Sequence, residues 1–294
     1  MAHARIVFVG SGTSEGVPRV TCIAKEHPTC EGCLSATEPG SKDRRRNTSL
    51  LVQLPHPGAA AQSGAIVRNV LIDAGKFFYQ SAIDIFPRYE VRSLDAVVLT
   101  HAHADAAGGM DDLRDWTNNN AQQSIPIYYR REDLDILSQT HFYLFGKRNA
   151  DTAGTVARLK FIETGPEPFD VEGLRITPLP VWHGKPHSAN GYRFGRVCYV
   201  PDVSEIPEAT RPLMTGCELL IVDALRPRRT HGSHFTIEQA IDEAQRLRPA
   251  RTLLTGMCHE LVHERTNEWL SRLKESEGLN IQLAYDGLAV DVDL

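Results

Sequence analysis

The chain has 294 residues, a net charge of −5 and 41% apolar residues, enough for a substantial core and too acidic for a general nucleic-acid binder. No run approaches the ~18 consecutive apolar residues of a membrane span, and the apolar stretch in "MAHARIVFVGSG" reaches its glycines too soon for a signal peptide. A cytoplasmic protein is expected, so the 6 cysteines read as core residues or metal ligands and not as disulfides.

Short apolar runs bounded by Gly, Pro, Asp and Asn predict strands at 5–10, 49–54, 69–74, 94–100 and 125–129. Further strands are predicted at 174–181, 191–200, 218–224, 251–256 and 281–292. Helical spacing predicts helices over 131–145, 236–247 and 264–276, the second opening on a capping box of Thr236 and Gln239. Residues 22–48 read as a polar loop rich in Cys, Pro and Gly, 55–67 as a hairpin or insertion, and 146–156 as a connection. The basic run in "SKDRRRNTS" reads as a solvated loop. With no short repeat and no clear linker, one domain over 1–294 is expected, its two similar halves forming two sheets packed together with helices outside.

Three groups of residues carry chemistry. His101, His103 and Asp105 alternate after the strand "LDAVVL". Alternate residues at a strand end point the same way, so the two imidazoles can converge on one ion. His183 in "PVWHG" and Asp202 in "YVPDVS" follow other strands and complete a ligand set of three imidazoles and a carboxylate, familiar for zinc or manganese. Finally, "CIAKEHPTCEGC" holds Cys22, Cys30 and Cys33, the last two at structural-zinc spacing. Cys198, Cys217 and Cys258 sit in or beside strands and read as core. The glycines of "GSGTSEGVP" are not followed by Lys-Ser/Thr, so they mark a tight turn and not a P-loop.

In order along the whole chain, "GSGTSEGVP", "LIDAG", "LTHAHAD", "PVWHG", "YVPDVS" and "GSHFTIEQA" resemble the metallo-β-lactamase fold hydrolases, in particular the branch of the phosphoribosyl cyclic phosphate phosphodiesterases. The resemblance implies an αββα sandwich of two mixed β-sheets with metals bound between them. It places His101, His103 and His183 on a first metal, Asp202 between two metals and Asp105 on the second. It places His259 as the fourth ligand of a Cys₃His zinc site with Cys22, Cys30 and Cys33, in a zinc-binding loop at about 19–48. It also makes His234, just before the capped helix, a general acid, with Asp202 as its catalytic companion; His231 is a neighbouring competitor.

This chain departs from that pattern twice. Ala106 and Gly256 stand where such phosphodiesterases have histidines for the second metal, and neither has a coordinating side chain. Asp111, Asp112 and His263 are the candidate replacements, and Arg46 and Arg114 could meet a phosphate. One well-made active-site position for Zn²⁺ or Mn²⁺ is therefore expected, with a weaker second, besides the structural Zn²⁺. The expected activity is that of a metal-dependent hydrolase, a phosphodiesterase using a metal-activated water on a small or cyclic phosphate ester. The rivals are another hydrolase of the fold, acting on a thioester, an ester or an RNA end, and a non-catalytic zinc protein. No nucleic-acid-binding arm is evident, no membrane partner is expected, and a homodimer is compatible with the sequence.

Overall fold

A computed structural model describes residues 3–55, 67–118, 122–145 and 158–294. Its fourteen strands form two seven-stranded sheets. The first runs β14 (Ala289–Asp293), β1 (His3–Gly10), β2 (Ser49–Pro55), β3 (Val67–Ile72), β4 (Ala96–Val98), β5 (Ile125–Arg130) and β6 (Leu159–Thr164). The second runs β13 (Ile281–Leu283), β12 (Arg251–Thr255), β11 (Leu219–Asp223), β10 (Val197–Val200), β9 (Ser188–Phe194), β8 (Leu174–Trp182) and β7 (Phe169–Val171). In each sheet one side is antiparallel and the other parallel: β3 to β6 run together, as do β10 to β13.

The burial pattern makes this a four-layer sandwich. Side chains alternate across a strand, so Ile6 and Phe8 of β1 join Tyr192, Tyr199 and Ile221 in a core between the sheets. Val7 and Val9 instead face outward, to Phe78 and Ile85 of the helix Phe78–Ile85. On the second sheet Leu220 and Val222 face outward to Ile237, Ala240 and Ala244 of the helix Ile237–Leu247 and to Leu270 of the helix His263–Glu277. Strands buried on both faces read as continuous apolar runs, which is why they stood out in the sequence.

Numbered along the chain, the helices are α1 (Val20–Ile23), α2 (Glu31–Ser35), α3 (Phe78–Ile85), α4 (Ala104–Ala107), α5 (Arg114–Asn118), α6 (Leu134–Thr140), α7 (Ile237–Leu247) and α8 (His263–Glu277). The αββα expectation is met, and the capping box of Thr236 and Gln239 forms at the start of α7. The run 191–200 folds as a two-residue hairpin between β9 and β10, with Gly195 at φ +58. The run 281–292 breaks at Asp286 and Gly287 (φ +88), so β13 and β14 lie in different sheets. The helix expected over 131–145 is a 3₁₀ turn followed by the short α6, and α3, β6 and β7 went unread in the sequence. The expected connection at 146–156 and the interior of the expected insertion at 55–67 lie outside the described residues.

The loop between β1 and β2, which carries α1 and α2, is tied to the segment after β12 by Arg45. Its guanidinium is fully buried and donates to the carbonyls of Cys258 (2.9 Å) and Leu261 (2.6 Å) and to the Asp43 carboxylate (3.1 Å). Asp43 in turn accepts the backbone N–H of His263 at 2.8 Å. Taking a lone guanidinium out of water costs several kcal/mol, and these three acceptors offset it. Removing one member strands the others. Arg45→Met is therefore expected to lower the unfolding free energy by about 3–5 kcal/mol, read from urea denaturation; a loss under about 1 kcal/mol would show that water replaces the clip.

Candidate metal centre

Both faces of the central strands being covered, polar groups collect where strands end. β1, β3 and β4 of one sheet and β8, β10, β11 and β12 of the other run out toward loops bearing the predicted residues. The two sheets are joined there directly: Asn190 N–H donates to Thr100 O at 3.0 Å and Tyr192 O–H to Leu99 O at 2.6 Å. His101 and His103 follow β4, His183 follows β8, and Asp202 follows β10.

The structure brings these side chains together. Ligand atoms of His101, His103 and His183 lie within 4.8 Å of one another, as do those of His183, Asp202 and His234. Asp105 Oδ1 lies 3.8 Å from His101 Nε2. A hydrogen-bond chain sets the orientation of His101. Asp73 accepts from Thr100 N–H and from Thr100 Oγ1–H, both at 2.8 Å, so Thr100 Oγ1 is left to accept from His101 Nδ1–H at 2.9 Å. The lone pair is then on Nε2, which is buried with no hydrogen-bond partner. His183 Nδ1–H donates to Ser233 O at 2.8 Å, freeing its Nε2 likewise. Burial foremost, then the neighbouring imidazoles, holds His101 well below the ordinary histidine range and His183 at about 3. Both are neutral at pH 7, the form that binds a metal. Burial, then the nearby Asp105 charge, pushes the Asp202 carboxyl well up. An orphaned imidazole nitrogen among neutral rings and a destabilised carboxylate fit a divalent cation at the first position.

The second position does not fit. Ala106 is buried in α4 and offers a methyl group. Gly256 has φ +69, and a Cβ there would lie 2.4 Å from Asp223 Oδ1. Asp223, fully buried at the end of β11, fills the space a side chain at 256 would need. Its Oδ2 accepts from His234 Nδ1–H at 2.7 Å, and the same nitrogen is 3.8 Å from Asp202 Oδ1. Burial opposes a charge on His234, but Asp223, then Asp202 and Asp105, outweigh it and raise its pKa to about 9. His234 is thus held by the same aspartate that takes the room beside Gly256.

The replacement ligands do not join the cluster. Asp111 sits 3.8 Å from Arg114, and Asp112 lines an apolar cavity with Phe78, Phe86 and Trp116. His263 packs on Tyr285 and bonds Asn267 at 3.0 Å. Arg46 pairs with Asp84. Asp223, Asp73 and Thr100 went unassigned in the sequence. The available signal was an aspartate closing each apolar run, in "LLIVDA" and "VLIDAG".

A second cluster lies at the other end of the β1–β2 loop. Ligand atoms of Cys22, Cys30, Cys33 and His259 all lie within 4.8 Å of one another, with Cys30 Sγ 3.0 Å and Cys22 Sγ 3.9 Å from His259 Nδ1. Gly32 makes the approach possible, since a Cβ there would meet His259 O at 2.3 Å. Burial foremost pushes the Cys33 thiol up to about 12. Such thiols become thiolates on a metal, so the donor set fits a soft divalent ion.

The β-lactamase superfamily domain matches residues 68–257 of this chain. The chain belongs to the metallo-β-lactamase superfamily. It is 30% identical to the crystal structure of a diphosphatase from the PhnP family, with a TM-score of 0.79, covering 99% of this chain and 98% of that one. Zn²⁺-bound PqqB from Methylobacterium extorquens shares the fold at 18% identity and a TM-score of 0.68, covering 98% of this chain and 100% of that one. An octanoyltransferase of Porphyromonas gingivalis (strain W83) is 33% identical over 293 residues, which is 98% of this chain and 52% of that protein. The chain thus spans about half the length of that curated relative. It has the metallo-β-lactamase fold, a fold that implies divalent-metal binding, and among the described residues no helix is long and apolar enough to cross a membrane.

The crowding at Gly256 has a testable outcome. The double variant Ala106→His, Gly256→His supplies both missing imidazoles, yet is expected to gain no second active-site metal by elemental analysis and to be less stable than the parent. A stably folded variant with one additional metal per chain would show that Asp223 yields its place.

Proposed function

We propose that the protein is a metal-dependent phosphodiesterase acting on a small phosphate ester. The observation that carries the reading is the Asp223–His234 pair set beside the three-imidazole cluster, a proton donor next to a metal position. Similarity over the full chain to a PhnP-family diphosphatase supports phosphorus chemistry. An acyl-transfer reading draws only on the octanoyltransferase, of which the chain spans 52%.

In this reading His101, His103, His183 and Asp202 hold one Zn²⁺ or Mn²⁺ ion, with Asp105 beside it. A bound divalent ion supplies Lewis acidity toward a phosphoryl oxygen and makes its water a nucleophile near pH 7. Asp73, through Thr100, keeps His101 in the ligating tautomer. Asp223 fixes His234 through Nδ1, so the proton on Nε2 is the one available to the leaving oxygen as its bond to phosphorus breaks. Cys22, Cys30, Cys33 and His259 hold a structural zinc that fastens the β1–β2 loop to the C-terminal half.

Hydrolysis of bis-p-nitrophenyl phosphate and cyclic nucleotides, lost on chelation and regained with zinc or manganese, is the expected result. Activity confined to thioester, ester or RNA-end substrates, or none with metal bound, would overturn the reading. His234→Ala is expected to slow hydrolysis of an alkyl phosphodiester by ~10²–10⁴-fold while active-site metal stays bound. Nitrophenolate leaves without much help, so the effect on bis-p-nitrophenyl phosphate should be far smaller. Equal losses on both substrates would argue for a structural histidine. Cys30→Ser should lower zinc content and melting temperature together, because structural metal binding contributes folding free energy; unchanged values of both would remove the structural zinc.

A further inference from the structure

One imidazole beside the metal cluster is neither a ligand nor the proton donor. β8 and β9 form a hairpin whose last ladder pair is Trp182 with Ser188. One step nearer the tip, His183 N–H donates to His187 O at 3.0 Å and His187 N–H to Gly184 O at 2.9 Å. His183 and His187 therefore lie opposite each other, and opposed residues of an antiparallel pair project from the same face. His183 projects into the metal cluster. His187 follows it: its ring centroid is 6.3 Å from that of His103. The tip that carries it is held from several sides. Arg130 of β5, buried and paired with Asp133 at 2.7 Å, donates to Ser188 O at 2.9 Å. Gly184 N–H donates to Ser204 Oγ at 2.9 Å. Lys185 is committed to Glu205 at 2.8 Å, with its ammonium 5.4 Å from the centre of the Trp182 ring. His187, by contrast, is exposed, and among the described residues its ring nitrogens have no hydrogen-bond partner.

We propose that His187 contacts the substrate, hydrogen-bonding a non-bridging oxygen of the phosphoryl group that is retained after cleavage. The two imidazoles outside the ligand set border different ligands: His234 packs on His183 at 4.8 Å between ring centroids, and His187 neighbours His103. An oxygen protonated by His234 departs with the leaving group. The oxygens that stay on phosphorus are left for the His103 side, where His187 presents an uncommitted polar group. A neutral imidazole carries one N–H in either tautomer, so it can donate to such an oxygen. The hairpin holds the donor in place beforehand, so little freedom is lost when the contact forms. The contact also bears on substrate class. A tetrahedral phosphodiester has two non-bridging oxygens, so one remains for His187 when the other faces the cluster. An acyl carbonyl has a single oxygen and leaves His187 nothing to hold. The proposal rests on the phosphodiesterase reading, so its test needs an arm independent of turnover.

That arm is titration calorimetry of the zinc-loaded protein with inorganic phosphate. The parent is expected to bind it. His187→Ala should bind it ~10- to 100-fold more weakly, the value of a hydrogen bond to a charged group, with zinc content by elemental analysis unchanged. His187→Asn or His187→Gln, which keep a side-chain N–H, should recover part of the affinity. On bis-p-nitrophenyl phosphate, His187→Ala should raise KM and leave kcat close to the parent value, as expected for a contact made equally before and during reaction. No phosphate binding by the parent, parent-like affinity in His187→Ala, a loss that neither amide restores, or a loss of zinc along with it overturns the contact. His187-dependent phosphate binding with no phosphodiester hydrolysed would keep the contact and remove the proposed activity. Hydrolysis with a phosphate affinity indifferent to residue 187 would do the reverse.

Discussion

The central strands of both sheets are buried on both faces, and that constraint places everything else. One face of β1 packs into the core between the sheets and the other against α3; β11 does the same between the inner core and α7. Polar side chains cannot emerge from such faces without losing their hydration. They can emerge where strands end. The strand ends of both sheets meet along one margin, pinned by Asn190 to Thr100 and Tyr192 to Leu99. Histidines and aspartates far apart in the chain share that margin.

Within it, two of the imidazoles are each oriented by a hydrogen-bond partner. Asp73 acts on His101 through Thr100, and Ser233 acts on His183 through a backbone carbonyl. Both leave Nε2 as the free nitrogen. Asp223 does something different, since its bond to His234 produces a cation-holding pair. The same aspartate takes the room beside Gly256. A single buried carboxylate therefore both holds His234 and leaves no room for a side chain at position 256.

The β1–β2 loop follows a similar economy. It has little core of its own, only Val17, Cys22, Cys33, Ala36 and their neighbours. Its attachment comes from polar and thiol groups: Arg45 reaching carbonyls after β12, and three cysteines closing on His259 across the small space at Gly32. Asp286, on the turn between β13 and β14, adds bonds to Ser11 and to Arg46 N–H. The loop is thus anchored from two C-terminal segments.

Much of this was legible in the order of residues. Strands buried on both faces leave unbroken apolar runs, and a metal site needs His, Asp and Cys at restricted spacings, so both survive in one dimension. The two packed sheets, the three imidazoles, Asp202, the three cysteines at 22, 30 and 33 and the start of α7 were readable, while His259 came only with the family resemblance. Where β9 gives way to β10, and where β13 leaves one sheet and β14 joins the other, the turn residues Gly195–Arg196 and Asp286–Gly287 are few and apolar residues resume close behind them, so each pair of strands reads as one run. The occupant of the missing second position was not readable at all. Ala106 and Gly256 announce only an absence, and Asp223 lies 33 residues from Gly256 in the numbering. That Asp223 fills the space and that Asp112 and His263 turn elsewhere both depend on which strand ends adjoin. Adjacency across parallel β11 and β12 is a property of sheet order, and only the tertiary structure decides it.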